Sequence, residues 1–212
     1  MTTEPPILGV ILAGGLSRRM GGTEKSLIRL AGKPLIAHVR DRLAAQVDEL
    51  VVSANGEAGR FAFLGLAVVP DTVPGHAGPL AGILAGMRRA EASRPAPRFI
   101  ATAATDTPFL PANLVARLAD AAGGGDRIAL ARSDGKRHPV FGLWPVALAD
   151  DLERFLNSGE GGKVMRFASR HRIVDVDFAL REAGGMTIDP FFNINTPEDL
   201  ALASRLAGQV AT

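Results

Sequence analysis

The chain runs to 212 residues without a single cysteine, which excludes a thiolate nucleophile, an iron–sulfur cluster and a thiolate zinc site, and fits a reducing compartment. Lysine and arginine number 24 against 22 acids, a net charge of +2, and only 5% of residues are aromatic, too little charge and too few stacking rings for a nonspecific nucleic-acid binder. No apolar run approaches the roughly 18 residues of a membrane span, and an acid at Glu4 stands where a secretory leader needs positive charge, so a cytoplasmic protein is expected, with neither membrane nor nucleic acid as partner.

Residues 7–12 form a short β-branched apolar run followed by two glycines, the pattern of a buried parallel strand entering a tight loop. Residues 34–47 carry helical spacing (Leu35, Val39, Leu43, Val47) with proline in the first turn. Strands are predicted at 50–54 and 66–69, a helix at 79–92, and a fourth strand at 99–103 with Asp106 just past its end. A helix follows at 110–122 and ends in Gly123-Gly124-Gly125, which divides the chain into halves of about 1–122 and 126–212. The second half reads as strands at 127–131 and 140–144, a helix at 145–155, a helix at 164–169, and a strand at 173–176. Thr196 is the predicted cap of the last helix, with proline next and early acids to complement the dipole.

Strands alternating with helices predict a doubly wound, three-layer α/β/α domain on a mostly parallel sheet. A chain of this size buries about 70% of its unfolded surface, enough for one domain over residues 1–212. Ligands of such sheets sit beyond the carboxyl ends of the strands. The loops at 13–25, 54–58, 70–78 and 104–108 are therefore expected to converge on one edge.

The segment from Leu12 to Lys25, LAGGLSRRMGGTEK, is the most informative of the chain. Gly14 and Gly15 permit positive φ and a close approach of backbone to ligand, and successive N–H groups in such a turn form an anion-binding concavity. Ser17, Arg19 and Lys25 add donors and positive charge suited to a triphosphate. The segment is neither a Walker A loop, because Glu24 precedes Lys25, nor a dinucleotide fingerprint, because G-x-G-x-x-G is absent.

This glycine loop resembles the signature of NTP-transferases, and in its Ala13-Gly14-Gly15 form it is similar to the molybdenum cofactor guanylyltransferases. The resemblance implies a Rossmann-like nucleotidyltransferase fold and transfer of GMP from GTP to the phosphate of molybdopterin, with release of pyrophosphate. It implies nucleotide contacts at Leu12, Ala13, Gly14 and Gly15, phosphate contacts at Arg19 and Lys25, and Lys25 as the charge that stabilises the transition state. It also implies Mg²⁺ on Asp106, in the string Asp106-Thr107-Pro108, which would act with Arg19 and Lys25 in catalysis. An acid at a strand end suits Mg²⁺, which keeps most of its waters and takes one or two protein oxygens. Asp before Thr-Pro is equally a common turn residue.

Asn55-Gly56 is a turn signal, while Asp71 offers a carboxylate that would pair with adjacent N–H donors of guanine. The resemblance places nucleotide contacts at both, without saying which reads base and which ribose. The string Gly78-Pro-Leu-Ala-Gly82 matches the family's base pocket, yet small residues at 78, 82 and 86 equally signal close helix packing. His76 reads as a solvated loop residue. His138, Asn193 and Asn195 are candidate acceptor contacts, with strand entry before Pro139 and helix capping as the respective alternatives. Alternation puts both asparagines on one face of an extended segment. Arg166, Arg170, His171 and Arg172 form a basic cluster that reads as a solvated face.

A phosphate monoester carries nearly two charges at pH 7, its second pKa being about 6, so an attacking phosphate needs no general base. The partners implied are GTP and molybdopterin, with cofactor-carrier proteins or acceptor molybdoenzymes beyond them, and a monomer is the default state. A cytidylyl or sugar-phosphate transferase, and a non-catalytic nucleotide-binding module, are the alternative readings.

Overall fold

The computed structural model describes residues 5–14, 24–73, 78–159, 162–183 and 185–210. In chain order the strands are β1 (Ile7–Leu12), β2 (Arg29–Leu30), β3 (Lys33–Pro34), β4 (Glu49–Ser53), β5 (Ala67–Val69), β6 (Phe99–Ala104), β7 (Ile128–Ser133), β8 (Lys136–Pro145), β9 (Ile173–Asp177), β10 (Arg181–Ala183) and β11 (Met186–Ile188). The helices are α1 (Leu35–Ala44), α2 (Pro79–Glu91), α3 (Leu114–Ala122), α4 (Ala149–Asn157), α5 (Val164–Ala168) and α6 (Pro197–Val210).

Seven strands form one sheet in the order β5-β4-β1-β6-β8-β7-β9. All neighbours pair in parallel except β8, which runs antiparallel to both β6 and β7. The predicted architecture holds: a mostly parallel sheet with helices on both faces. Alternate residues of β1 show why. Leu8, Val10 and Leu12 pack under α2, α4 and α5, whereas Ile11 packs with α1 and α3. A strand buried on both faces must read as a continuous apolar run. A third cluster joins α6 to Leu30, Leu35, Phe109 and Ile194. Among the described residues no helix is long and apolar enough to cross a membrane.

Several element boundaries differ from the sequence reading. β8 begins at Lys136 rather than 140 because Asp134 and Gly135, at φ 46° and 71°, close a two-residue hairpin with β7. Left-handed φ at both central residues is what Asp-Gly supplies. The register of that hairpin shifts between Leu130 and Ala131, which pair with Gly142 and His138 respectively. Pro139, unable to donate to a ladder, sits inside this bulge. The helix predicted from residue 110 starts at Leu114, past Pro111. The one predicted from 145 opens as a 3-10 turn at Val146–Leu148. Gly123 ends α3 in the left-handed conformation, at φ 63°, and its N–H reaches Ala119 O at 3.0 Å. The hairpins β2–β3 and β10–β11 are short pairings that periodicity did not reveal.

Thr196 does cap α6, and reciprocally. Its Oγ1 accepts from Asp199 N–H at 3.1 Å, and Asp199 Oδ2 accepts from Thr196 N–H at 2.9 Å. The cap fixes where the preceding residues, Asn193 to Asn195, leave the core.

Candidate nucleotide-transfer site

The carboxyl ends of β1, β4, β5 and β6 open on a cleft of about 660 Å³. Leu12, Ala13 and Gly14 line it at the end of β1, Asn55 and Asp71 beyond β4 and β5, and Gly78 and Gly82 at the start of α2. Glu24 and Arg60 complete the wall. The predicted convergence of loops on one edge is therefore what the topology produces. Gly15, Ser17, Arg19 and His76 lie outside the described residues.

Lys25 stands at the start of a 3-10 turn, Lys25–Leu27, and reaches across the chain. Its Nζ donates to Asp106 Oδ2 at 2.5 Å and to Asn195 Oδ1 at 2.5 Å. Residues separated by 81 and 170 positions thus share one node. Both members of the ion pair are about one-fifth exposed (18% and 19%), so they remain open to a ligand. They stand beside the cleft, their near neighbours Glu24 and Ala104 lining it. Asn193 lies on the same side: Thr107 Oγ1 donates to its Oδ1 at 2.5 Å, and Ile194 N–H donates to Asp106 O at 2.9 Å. Ile194 itself is fully buried between them. Asn193 and Asn195 thus flank a buried residue, one bonded to Thr107 and the other to Lys25.

Asn55 and Asp71 form a reciprocal pair, with Asn55 Nδ2 donating to Asp71 Oδ2 at 2.7 Å and Asp71 N–H donating to Asn55 Oδ1 at 2.9 Å. The turn reading of Asn-Gly is also right, since Gly56 has φ 82°. Gly82 lines the cleft and is also packed closely. A Cβ there would lie 2.7 Å from Ser53 Oγ and 2.8 Å from Leu12 Cδ2, so a larger residue would push those side chains aside where α2 rests on β1 and β4. Gly86 meets Val10 Cγ2 at 2.6 Å in the same test. Gly14 corrects an expectation: it is not among the glycines at positive φ. A Cβ there would meet nothing within 4 Å. Its bareness serves open space over the cleft rather than a left-handed turn.

His138 is placed apart from the lysine node. Its Nε2 is 2.6 Å from Ser133 Oγ, which also donates to Asp189 Oδ1 at 2.7 Å, and its ring stacks on Phe191 at 4.6 Å between centroids. Burial, and secondarily Lys136, hold its pKa below the ordinary histidine value of 6.5, against an opposing pull from Asp189. A depressed folded pKa stabilises the protein above the unfolded value, and that contribution is lost as pH falls through the folded one. Thermal denaturation of wild type and His138→Gln should therefore show a gap that is constant above pH 6.5 and narrows below it. A gap that widens on acidification would contradict the placement.

Of the basic cluster, His171 pairs with Asp151 at 3.1 Å and packs on Phe167, while Arg170 lies over the Phe155 ring. These contacts tie α5 to α4. Sequence reading passed over Arg60. Its Nε lies 2.8 Å from Glu24 Oε2, and its Nη2 donates to Asn55 O at 2.7 Å. The two residues are 36 apart, and no local pattern signals their pairing; the only hint was a lone arginine in the turn after Asn55-Gly56.

The description "MobA-like NTP transferase domain" matches residues 9–174. A molybdenum cofactor guanylyltransferase of a Bradyrhizobium species is 51% identical over 207 residues, covering 97% of this chain and 95% of the relative. One from Mesorhizobium japonicum is 49% identical over 201 residues, with 94% and 95% covered. The crystal structure of molybdopterin-guanine dinucleotide biosynthesis protein A from Archaeoglobus fulgidus superposes with a TM-score of 0.73 at 24% identity, covering 95% of this chain and 98% of that one. That of a 4-diphosphocytidyl-2C-methyl-D-erythritol synthase from Anaerococcus prevotii does so at 0.72 and 12%, with 97% of each chain covered. At these identities the two structures speak for the fold.

A doubly wound sheet with a cleft at its carboxyl edge, and the NTP-transferase match across it, define a nucleotidyltransferase. The chain belongs to the molybdenum cofactor guanylyltransferase family.

Proposed function

We propose that the chain transfers GMP from GTP to the phosphate of molybdenum-molybdopterin, giving the guanine dinucleotide cofactor and pyrophosphate. The observation that carries this is the Lys25–Asp106–Asn195 node beside a cleft that Asn55 and Asp71 also line. In this reading the base and ribose lie against Asn55, Asp71 and the bare backbone at Gly78 and Gly82. The triphosphate runs over Leu12 to Gly14 toward Lys25, and Gly15 and Arg19, outside the described residues, are further contacts proposed from the sequence alone. The acceptor phosphate enters from the side of Asn193 and Asn195, with His138 behind them.

Asp106 suits one Mg²⁺. Such an ion takes one or two protein oxygens and completes its shell with water and substrate phosphates. Among the described residues Asp106 Oδ1 makes a long contact, 3.4 Å, to Thr107 Oγ1, leaving lone pairs for a cation. When bound, the ion would neutralise charge on the phosphates. Lys25 exchanges its Asp106 partner for phosphate oxygens and stabilises the leaving pyrophosphate. The rest is alignment of the acceptor phosphate with the α-phosphorus, since that nucleophile is already ionised. The reaction is assigned to the cytoplasm, where GTP is at hand, and to a monomer.

Pyrophosphate release with GTP, Mg²⁺ and molybdenum-molybdopterin tests the reading. CTP should neither substitute for GTP nor displace a labelled GTP analogue at equal concentration. Turnover with CTP alone would shift the chain to a cytidylyl reaction, and binding without turnover to a non-catalytic nucleotide module.

A further inference from the structure

The Arg60 guanidinium spans two walls of the cleft that the sequence keeps far apart. On one side it holds Glu24, at 2.8 Å and 3.1 Å from Nε to the two carboxylate oxygens. Glu24 directly precedes Lys25 and follows the glycine loop. On the other side Nη2 donates to the backbone carbonyl of Asn55 at 2.7 Å, and Nη1 to that of Glu57 at 2.6 Å. Asn55 is in turn locked to Asp71. The arginine comes from a 3-10 segment, Ala58–Leu64, and lies over the fully buried Phe61 ring at 4.5 Å. The positive φ of Gly56 folds the chain back beneath it, where a Cβ would stand 3.5 Å from Nη1. The Arg60 side chain is 23% exposed and that of Glu24 22%, so this is a half-sheltered pair facing the cleft rather than a solvated surface contact.

We propose that Arg60 is a positioning residue of the nucleotide site: by gripping Glu24 and the Asn55 carbonyl at once, it sets the spacing between the phosphate end and the base end of the cleft. A planar fork with donors on several nitrogens performs this bridging, and a lysine, with one point charge, does not. Lys25 is held independently by Asp106 and Asn195. Loss of Arg60 therefore loosens ground-state binding of the nucleotide more than it weakens the charge at the reacting phosphates. The inference rests on the function proposed above only in taking GTP as the ligand.

The test is a double-mutant cycle on the full-length chain with Glu24→Gln, Arg60→Gln and the combined variant, alongside Arg60→Lys. GTP affinity is read by calorimetry with Mg²⁺, turnover by pyrophosphate release, and folding by circular dichroism. Losing a charge-assisted, multi-bond clamp is expected to raise both Kd and KM for GTP by about 10–100-fold. The value of kcat should change far less. The double variant should be hardly worse than Arg60→Gln alone, because the two residues act as one unit. Arg60→Lys should recover only the part due to Glu24. Wild-type affinity in Arg60→Gln overturns the proposal. So do fold-effects that multiply in the double variant, or a fall in kcat at unchanged KM, which would make Arg60 a direct transition-state contact. If wild type binds GTP but does not turn over, the proposed function fails while the affinity cycle still decides the role of Arg60. A wild-type chain that binds no GTP overturns both.

Discussion

Lys25→Ala should lower pyrophosphate release from GTP by ~10²–10³-fold while the protein folds as before. Lys25 supplies the one described cation in direct contact with Asp106, at 2.5 Å. A fixed positive charge aimed at developing phosphate charge, held beside a partly sheltered cleft, is worth more than the same charge in bulk solvent. The structural cost of its removal is small by comparison. A partly exposed ion pair contributes at most about 1 kcal/mol, because water replaces the lost partner. Single-turnover rates at saturating GTP, read beside thermal melts, separate the two. Asp106→Asn keeps the shape and the contact with Lys25 but removes the anionic ligand. It should lose a similar factor and, in addition, its response to Mg²⁺ concentration. A variant of either residue with wild-type turnover would remove that residue from the chemistry.

Trp144→Ala should destabilise the chain by about 3–5 kcal/mol, a large share of the roughly 5–15 kcal/mol that holds a domain folded. Trp144 is fully buried in the layer under α2, α4 and α5. Its Nε1 donates to Thr102 Oγ1 at 3.0 Å, and that hydroxyl donates onward to Val140 O at 2.8 Å. Truncation leaves a cavity where the antiparallel strand β8 joins the parallel sheet at β6. It also leaves the Thr102 hydroxyl without its donor in an apolar layer. Trp144→Phe fills most of the volume and should cost nearer 1 kcal/mol, chiefly the lost hydrogen bond. Denaturant midpoints at constant slope give both values. A Trp144→Ala cost below that of the Phe variant would mean that the strand junction repacks freely.

Most of what positions the site was legible because it is local. The apolar run of β1, the bare backbone after it, the acid past β6 and the cap at Thr196 each declare themselves within a few residues. Other features were ambiguous for the same reason. Gly82 fits a base pocket and a helix seat equally well in the sequence, and the structure adds that a Cβ at this position would come within 2.7 Å of Ser53 Oγ. His138 sits in a family-like string, yet folding places it against Ser133, Asp189 and Phe191. Asp134-Gly135 is the hairpin signal that turns β8 antiparallel to β7, and the strand bounds read from apolar runs alone leave it out.

By itself the sequence determined the class of fold and proposed the two ends of the candidate site, because periodicity, glycine placement and strand-end acids are short-range consequences of backbone geometry. Only the tertiary structure decided which charges meet. Lys25 with Asp106 and Asn195, and Arg60 with Glu24, are pairings across 36 to 170 residues. A side chain's partner at that separation is set by sheet order and loop closure, and no local pattern encodes it.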